Sequence, residues 1–205
     1  MQTTDTLQPR KSPAQARSAR TVDDLLDATA RVLLRDGWDK VSTNRIAKAA
    51  GVSVGSLYQY FPNKEALMLA LATRHAEQTL SEFVEHAGVL ADAPLEVAVP
   101  AFVQAMIDGH RSDPELHVAL VHQLLAVGLE PVDRMVQAAK QVVLAFLERR
   151  RHELAVTNLD LAAWMCVTTV DTVVHAAVLD RKRLDDPALA AELSAMILRY
   201  LTGRG

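Results

Sequence analysis

The chain has 205 residues, of which 50% are hydrophobic and 23% are charged, and this balance excludes wholesale disorder. A chain of this length suffices for one domain of ordinary size or for a small domain joined to a larger one. The formal net charge is −3 and the only cysteine is Cys166, which excludes an intrachain disulfide and any site built from several cysteines.

The N-terminal residues lack the apolar segment of a secretory signal, and no uninterrupted apolar run approaches the ~20 residues of a membrane helix. With a single cysteine, these features predict a cytoplasmic protein that does not span a membrane. We expect residues 1–11 to form a mobile tail that is slightly basic.

Charge is unevenly distributed along the chain. Residues 1–75 hold 11 Lys/Arg against 7 Asp/Glu, a balance of +4, and residues 76–205 hold 11 against 18, a balance of −7. Lys40, Arg45, Lys48 and Lys64 occur with no acidic residue between them. The pattern fits a phosphate-binding end on an acidic body, but charge alone leaves a chance local excess equally open.

Hydrophobic spacing predicts an all-α fold, because Ala, Leu and Val dominate and no long stretch alternates with period two. The first helix begins either at Ser12-Pro13 or at the capping box of Thr21 and Asp24, and the sequence does not decide between them. We expect Gly37 to end this helix in the left-handed conformation.

Two short helices follow, over about residues 43–50 and 54–60. Ser42 and Ser53 are the expected caps, Gly51 permits a left-handed turn between the helices, and Pro62 stops the second one. This arrangement predicts a helix-turn-helix.

The rest of the chain predicts six longer helices, with a kink at Pro100. Their starts are Asn63, Pro94, Asp113-Pro114, Glu130-Pro131, Asn158 and Asp186-Pro187. The fold is then a nine-helix one, with a helix-turn-helix domain at residues 12–63 and a larger domain at residues 64–205.

The second short helix has the character of a DNA recognition helix. Its outer face carries small or hydrogen-bonding side chains that let the backbone approach base edges. Gly55 costs helix stability, and close approach to DNA would explain it. The start of the preceding helix offers free N–H groups for a phosphate, and Arg45 can bind guanine or a phosphate.

Residues 41–67, VSTNRIAKAAGVSVGSLYQYFPNKEAL, resemble the TetR family of bacterial transcriptional regulators. The resemblance is strong over about residues 40–67 and good from residue 20. Beyond about residue 75 only the number and length of the helices match.

The resemblance implies a homodimer whose recognition helices enter successive major grooves of a near-palindromic, double-stranded DNA operator. It also implies that a small molecule bound in the larger domain alters the spacing of the two heads and releases the DNA. Residues implied to face bases are Thr43, Asn44, Arg45, Val54, Gly55, Ser56 and Gln59. Residues implied to hold phosphates are Ser42, Tyr58, Tyr60 and Lys64, and one of the two tyrosines is expected to pack within the protein instead.

Candidate effector-binding residues lie on the middle helices and mix apolar side chains with a few polar ones, which favours an apolar or amphipathic effector. Ordinary core packing is the alternative for each of them. The candidates are Phe102, Met106, His110, His122, Met135, Phe146, Trp164, Met165, Thr168 and Thr169.

The last two long helices carry small and apolar residues suited to a four-helix dimer interface. Coverage of the subunit's own core is the alternative. The interface candidates are Val170, Val173, Val174, His175, Ala177, Val178, Leu189, Leu193, Met196, Ile197 and Tyr200.

No cofactor, metal or catalytic residue is expected. His110, His117 and His122 lack the spacing of a helical metal pair, and no nucleophile motif or phosphate-binding glycine loop occurs. The predicted function is a ligand-responsive, sequence-specific repressor. The alternatives are an activator or chromosome-associated protein without a small-molecule effector, and an enzyme or carrier with a vestigial helix-turn-helix.

Overall fold

The computed structural model describes residues 16–127 and 130–203, which form α-helices with two short 3₁₀ turns and no strand. The predicted all-α fold is therefore confirmed. The helices are α1 (Ala16–Asp36), α2 (Thr43–Ala50), α3 (Val54–Tyr60), α4 (Lys64–Val89), α5 (Leu95–Ser112), α6 (Pro114–Val127), α7 (Glu130–Arg149), α8 (Leu159–Leu179), α9 (Arg181–Leu184) and α10 (Leu189–Thr202).

The predicted count of nine helices is wrong, because the described residues form ten. The additional helix, α9, is one turn directly after Asp180, whose carbonyl oxygen accepts hydrogen bonds from the N–H groups of Arg183 and Leu184. A helix of four residues is too short to show a hydrophobic period.

The first helix is already formed at Ala16, so the predicted start at Thr21 is wrong. The alternative start at Ser12-Pro13 and the predicted tail at residues 1–11 lie outside the described residues. Gly37 has a positive φ of 74° as expected, but its ψ of 158° is extended rather than left-handed.

Four predicted N-caps are confirmed. The side-chain oxygens of Ser42, Ser53, Asn63 and Asn158 each accept a hydrogen bond from the backbone N–H three residues later, at 2.7–3.4 Å. These bonds satisfy N–H groups that have no partner inside the helix, which is why the helices begin there. Later in the chain, α5 continues through Pro100.

The chain divides into two compact units. The first comprises Met1–His75 and Glu115–Pro131, and the second comprises Ala76–Pro114 and Val132–Gly205. The predicted domain boundary between residues 63 and 64 stays a prediction.

Each unit has its own apolar core. In the first unit, fully buried side chains of α1, α2, α3 and α4 meet, among them Leu25, Ile46, Leu57 and Leu67. In the second unit a cluster of buried side chains joins α5, α7, α8 and α10, and it includes Leu95, Phe146, Leu147, Ala162, Cys166 and Leu201.

Candidate functional site

Helices α2 and α3 form the predicted helix-turn-helix in the first unit. Gly51 between them is left-handed, with φ 69° and ψ 24°, and the N–H of Val52 donates to the carbonyl oxygen of Ala47. Because Ile46, Ala47 and Leu57 turn into the core, the opposite faces of both helices are left outside.

Polar contacts on the outer face join the two helices and brace the start of α3. Thr43 Oγ1 lies 3.1 Å from Tyr58 Oη, and Ser53 Oγ lies 2.8 Å from Ser56 Oγ. The face therefore presents an ordered set of hydroxyl groups next to the exposed side chains of Asn44 and Gln59.

Arg45 is exposed at the first turn of α2, where it is held by the end of α1. Its Nη1 donates to Asp36 Oδ2 at 3.0 Å, and Arg35 binds the same carboxylate with two hydrogen bonds of 2.8 Å. The hydrogen bonds from Arg35, joined by that from Arg45, lower the pKa of Asp36 to about 2. The carboxylate is thus charged at neutral pH and fixes the position of Arg45.

Like Ser42 and Tyr58, the predicted phosphate-binding residues Tyr60 and Lys64 have partners within the first unit. Tyr60 Oη donates to Ser18 Oγ at 3.4 Å, which turns this tyrosine toward α1. Lys64 Nζ donates to the carbonyl oxygen of Trp38 at 3.5 Å and lies 4.3 Å from the centre of its ring. Of the two tyrosines, the half-buried Tyr60 contacts α1, whereas Tyr58 contacts Thr43 on the outer face and is exposed.

Three cavities in the second unit have candidate effector residues in their walls, and the walls are apolar in two of them and more polar in the third. The inner cavity is lined by Val99, Phe102, Val103, Met106, Val143, Phe146, Leu147, Cys166, Val167, Val170, Ile197 and Leu201. The middle cavity is lined by Thr79, Leu80, Phe83, Met106, Met135, Val136, Ala139, Val167, Val170 and Asp171. The outer cavity is lined by Thr79, Glu82, Phe83, His86, Ala105, Met106, Asp108 and Gly109. The empty space between their walls, including the part that is open to solvent, is about 500, 410 and 560 Å³.

Four of the candidate effector residues line these cavities. Phe102, Met106 and Phe146 line the inner cavity, and Met106 and Met135 line the middle one. The ring centroids of Phe102 and Phe146 are 5.4 Å apart in an edge-to-face arrangement.

The other candidates lie elsewhere. His110 is buried but is not part of a cavity wall, and the same holds for the half-buried Thr168 and Thr169. Trp164 and Met165 differ most from the prediction, because their face of α8 points away from the core and leaves them exposed. The side chain of His122 lies outside the described residues.

The predicted interface residues divide between the two faces of α8 and α10. Five of them face the subunit's own core and therefore present no surface to a second copy: Val174, Ala177, Val178, Leu193 and Ile197. Val170 lines the inner and middle cavities. Met196 is exposed, and Val173, His175, Leu189 and Tyr200 are half-buried.

The exposed apolar face of α8 and α10 includes Met196 from this set, and its other residues were not predicted at the interface. Leu161, Trp164 and Met165 are 45%, 46% and 38% exposed on α8, and Met196 is 43% exposed on α10. Tyr200 Oη lies 3.4 Å from Met165 Sδ and connects the two helices. We call the four exposed residues Leu161, Trp164, Met165 and Met196 the α8–α10 face.

Sequence comparison assigns both parts of the chain. The family model described as "Bacterial regulatory proteins, tetR family" matches residues 25–71, and the one described as "Tetracyclin repressor-like, C-terminal domain" matches residues 94–201. The second match alone spans more than half of the chain.

The chain belongs to the TetR family. Members of this family are DNA-binding transcriptional regulators and dimers rather than enzymes. The predicted family is thus confirmed by both matches, and the first of them covers the helix-turn-helix.

Among curated proteins, the chain is similar to the nucleoid occlusion factor SlmA of Haemophilus ducreyi, with 40% identity over 78 residues. That match spans 38% of this chain and 38% of the length of SlmA.

Two solved structures of similar fold cover most of this TetR-family chain. The fatty acid degradation regulator FadR from Bacillus halodurans is 22% identical, with a TM-score of 0.67, over 87% of this chain and 94% of its own. The SmeT–triclosan complex is 21% identical, with a TM-score of 0.68, over 91% of this chain and 93% of its own, and SmeT is described as the repressor of a multidrug efflux pump of Stenotrophomonas maltophilia. At these identities the likeness concerns the fold.

Helix α8 is apolar along most of its length although one side of it is exposed. By length and apolar composition alone it is the one helix in the described part of the chain that is able to cross a membrane, with a mean hydropathy of 1.5. A third of that stretch is buried within the chain itself.

Sequence reasoning missed Asp36 and Asp171. Asp36 contacts Arg45 only because the turn after α1 brings the end of α1 to the start of α2, and no local pattern announces that contact. Asp171 is one of the few ionisable residues in the apolar sequence of α8, and this is the signal that would have marked it as a candidate.

Proposed function

We propose that this protein is a homodimeric repressor that binds a near-palindromic operator and is released by a small apolar or amphipathic molecule. The observation that carries the DNA-binding role is the ordered, exposed face of α2 and α3. It combines polar and small side chains with a positively charged Arg45 at a helix N-terminus, and both features suit insertion into a major groove.

The individual DNA contacts follow from this placement. We assign phosphate contacts to Ser42, Tyr58 and Lys64. We assign base contacts to the small and polar residues Thr43, Asn44, Arg45, Val54, Gly55, Ser56 and Gln59. Tyr60 keeps its bond to Ser18 and makes a lesser contribution. Arg45 reaches the DNA after exchanging its bond to Asp36 for one to a base or phosphate, so Asp36 limits the gain from that contact.

The dimer forms through the α8–α10 face. Four large apolar side chains, each more than a third exposed, lie together on two helices, and a second copy is the partner that the family provides. Helix α8 packs its opposite face in the subunit's own core, which accounts for its near-uniform apolar composition.

The cavities of the second unit are the proposed effector site. The dimer has one state whose two helix-turn-helix domains are spaced to fit the operator and one whose spacing does not fit it. A ligand that binds the second state more tightly lowers the operator affinity by the ratio of its affinities for the two states. The structure of SmeT with triclosan shows a small molecule bound to a protein of this fold, which supports such a role for these cavities.

A second candidate is an activator or a chromosome-associated DNA-binding protein, in either case without a small-molecule effector. The identity of 40% to a nucleoid occlusion factor favours the chromosome-associated role, although it spans only 78 residues. Release of the protein from its operator by a small molecule would exclude this candidate.

The DNA-binding proposal is tested by replacing Arg45 with alanine. We expect Arg45→Ala to weaken specific operator binding by about 1–3 kcal/mol, measured by fluorescence anisotropy with a labelled duplex. Arg149→Ala is the matched control, because it removes the same charge from an exposed site in the second unit and should leave affinity unchanged. Equal affinity of the Arg45→Ala variant and the wild type would contradict the assigned contact.

A further inference from the structure

We infer that the cavities of the second unit bind an amphipathic organic cation, with its ammonium head beside Asp171 and its hydrocarbon tail in the inner cavity. This inference rests on the proposed effector role of these cavities and specifies the chemistry of the ligand. It stands on the adjacency of the cavities, the charges on their walls and the buried carboxylate of Asp171.

The three cavities adjoin one another, and we call them together the path. Met106 lines all of them, Val167 and Val170 line both the inner and the middle cavity, and Thr79 and Phe83 line both the middle and the outer cavity. Met106 has a flexible unbranched side chain that can move aside at this junction. Movement of these shared side chains would connect the cavities and let a ligand pass from the outer one to the inner one.

The walls of this path become less polar from outside to inside. The outer cavity has Glu82, His86 and Asp108, the middle cavity has Asp171 as its one charged side chain, and the inner cavity has no charged side chain. Burial raises the pKa of the Cys166 thiol in the inner wall to about 12, so this group is neutral. Such a gradient suits a molecule with one polar end and one apolar end.

The sign of the wall charges favours a cation. Three carboxylates line the path, and none of its wall residues is a lysine or an arginine. A carboxylate ligand would be placed in an apolar site beside like charge, which is costly, whereas an ammonium group would be stabilised.

Asp171 offers the contact that fixes the head group. Its Oδ1 is buried, and its partner among the described residues is the ring of His175, whose Nδ1 lies 3.3 Å away and forms an ion pair with it when the ring is protonated. That ring nitrogen is 2.8 Å from the carbonyl oxygen of Asp171, to which it is placed to donate. Phe83, in the same wall, adds a ring face that attracts cations.

The test is calorimetric titration of the full chain, without DNA, with three ligands that share a ten-carbon tail. We expect decylammonium to bind about tenfold or more tightly than decanol, and decanoate to bind more weakly than decanol. Shortening the ammonium ligand should weaken binding roughly fourfold for each methylene removed, because the tail loses buried apolar surface. Equal or tighter binding of decanoate, or no dependence on tail length, would overturn the inference.

Asp171→Asn tests the head-group contact, and Asp160→Asn is its control on the exposed side of the same helix. We expect the first variant to bind decylammonium and decanol equally and the second to keep the wild-type preference. Asp171→Ser replaces the first variant if thermal unfolding shows that it does not fold. A preference for decylammonium that survives removal of the carboxylate would contradict the assignment.

Operator binding is measured separately, so the two proposals fail in different ways. Asp171-dependent binding of decylammonium that leaves operator affinity unchanged supports the cation site and contradicts the effector role. Release of DNA by decanoate with no binding of decylammonium supports an effector role and overturns the cation site.

Discussion

Gly55 is a residue whose identity the protein's own packing does not require. A Cβ at this position would lie 3.8 Å from Ser53 Oγ, which is ordinary van der Waals contact, and its φ is not in the left-handed region. Glycine within a helix costs about 1 kcal/mol relative to alanine. Close approach of a DNA backbone or base to α3 is the physical reason we assign to the missing side chain.

Gly55→Ala should therefore change stability and DNA binding in opposite directions. We expect the free energy of unfolding to rise by up to about 1 kcal/mol, measured by urea denaturation, and operator affinity to fall. Gly88→Ala in α4, where a Cβ meets no atom within 4 Å, is the control and should leave DNA binding unchanged. An alanine at position 55 that stabilises the protein without weakening binding would show that DNA does not approach here.

Cys166 should be nearly inert in the folded protein. Because burial raises the pKa of its thiol to about 12, roughly one molecule in ten thousand carries the reactive thiolate at pH 8. We expect labelling with Ellman's reagent at pH 8 to be at least about a hundredfold slower than in the protein unfolded by guanidinium. Since this is the only cysteine, the rate reports this site alone, and rapid labelling of the folded protein would contradict its burial.

At the scale of elements, the helix-turn-helix was predictable because its signals are local. Each cap lies three residues from the N–H that it satisfies, and Gly51 has the left-handed backbone that its sequence position suggests. The ion pair of Asp36 with Arg45 was not predictable in this way, since it depends on how the turn after α1 closes.

Helix α8 shows where periodicity fails. Its start at Asn158 was predictable from the cap, but its rotation was not, because apolar residues surround the helix and no polar stripe marks the outer face. As a result Val174 and Ala177, which are predicted at an interface, are buried in the subunit. Trp164, which is predicted in an effector pocket, is exposed. The residues that line the cavities depend on the same rotation of α8, so only a list of candidate wall residues was predictable from the sequence.

Trp164→Glu tests the α8–α10 face as a dimer interface. We expect the variant to be monomeric at micromolar concentration by light scattering, because a charge replaces a large apolar side chain that the second copy would bury. Val97→Glu places the same charge at another exposed apolar position, on α5, and should leave the dimer intact. A dimeric Trp164→Glu variant of normal stability would place the interface elsewhere.

At the scale of the whole molecule, the charge asymmetry acquires a meaning that the sequence alone left open. The balance of +4 over residues 1–75 includes the helix-turn-helix, and the balance of −7 falls on the rest of the chain. Phosphate contacts by the basic part predict that log affinity for DNA falls linearly with log salt, and that acidic residues elsewhere keep the protein from binding DNA nonspecifically.

The central claim is that a dimer of this chain reads a defined DNA sequence, and selection from random duplex DNA tests it most directly. We predict enrichment of an inverted repeat whose half-sites are about 10 bp apart or a similar near-integral number of turns apart, bound at low salt by the purified wild-type protein. Unfolding and mass spectrometry first show that the purified protein carries no small molecule. If such protein enriches no sequence at low salt, the account is contradicted.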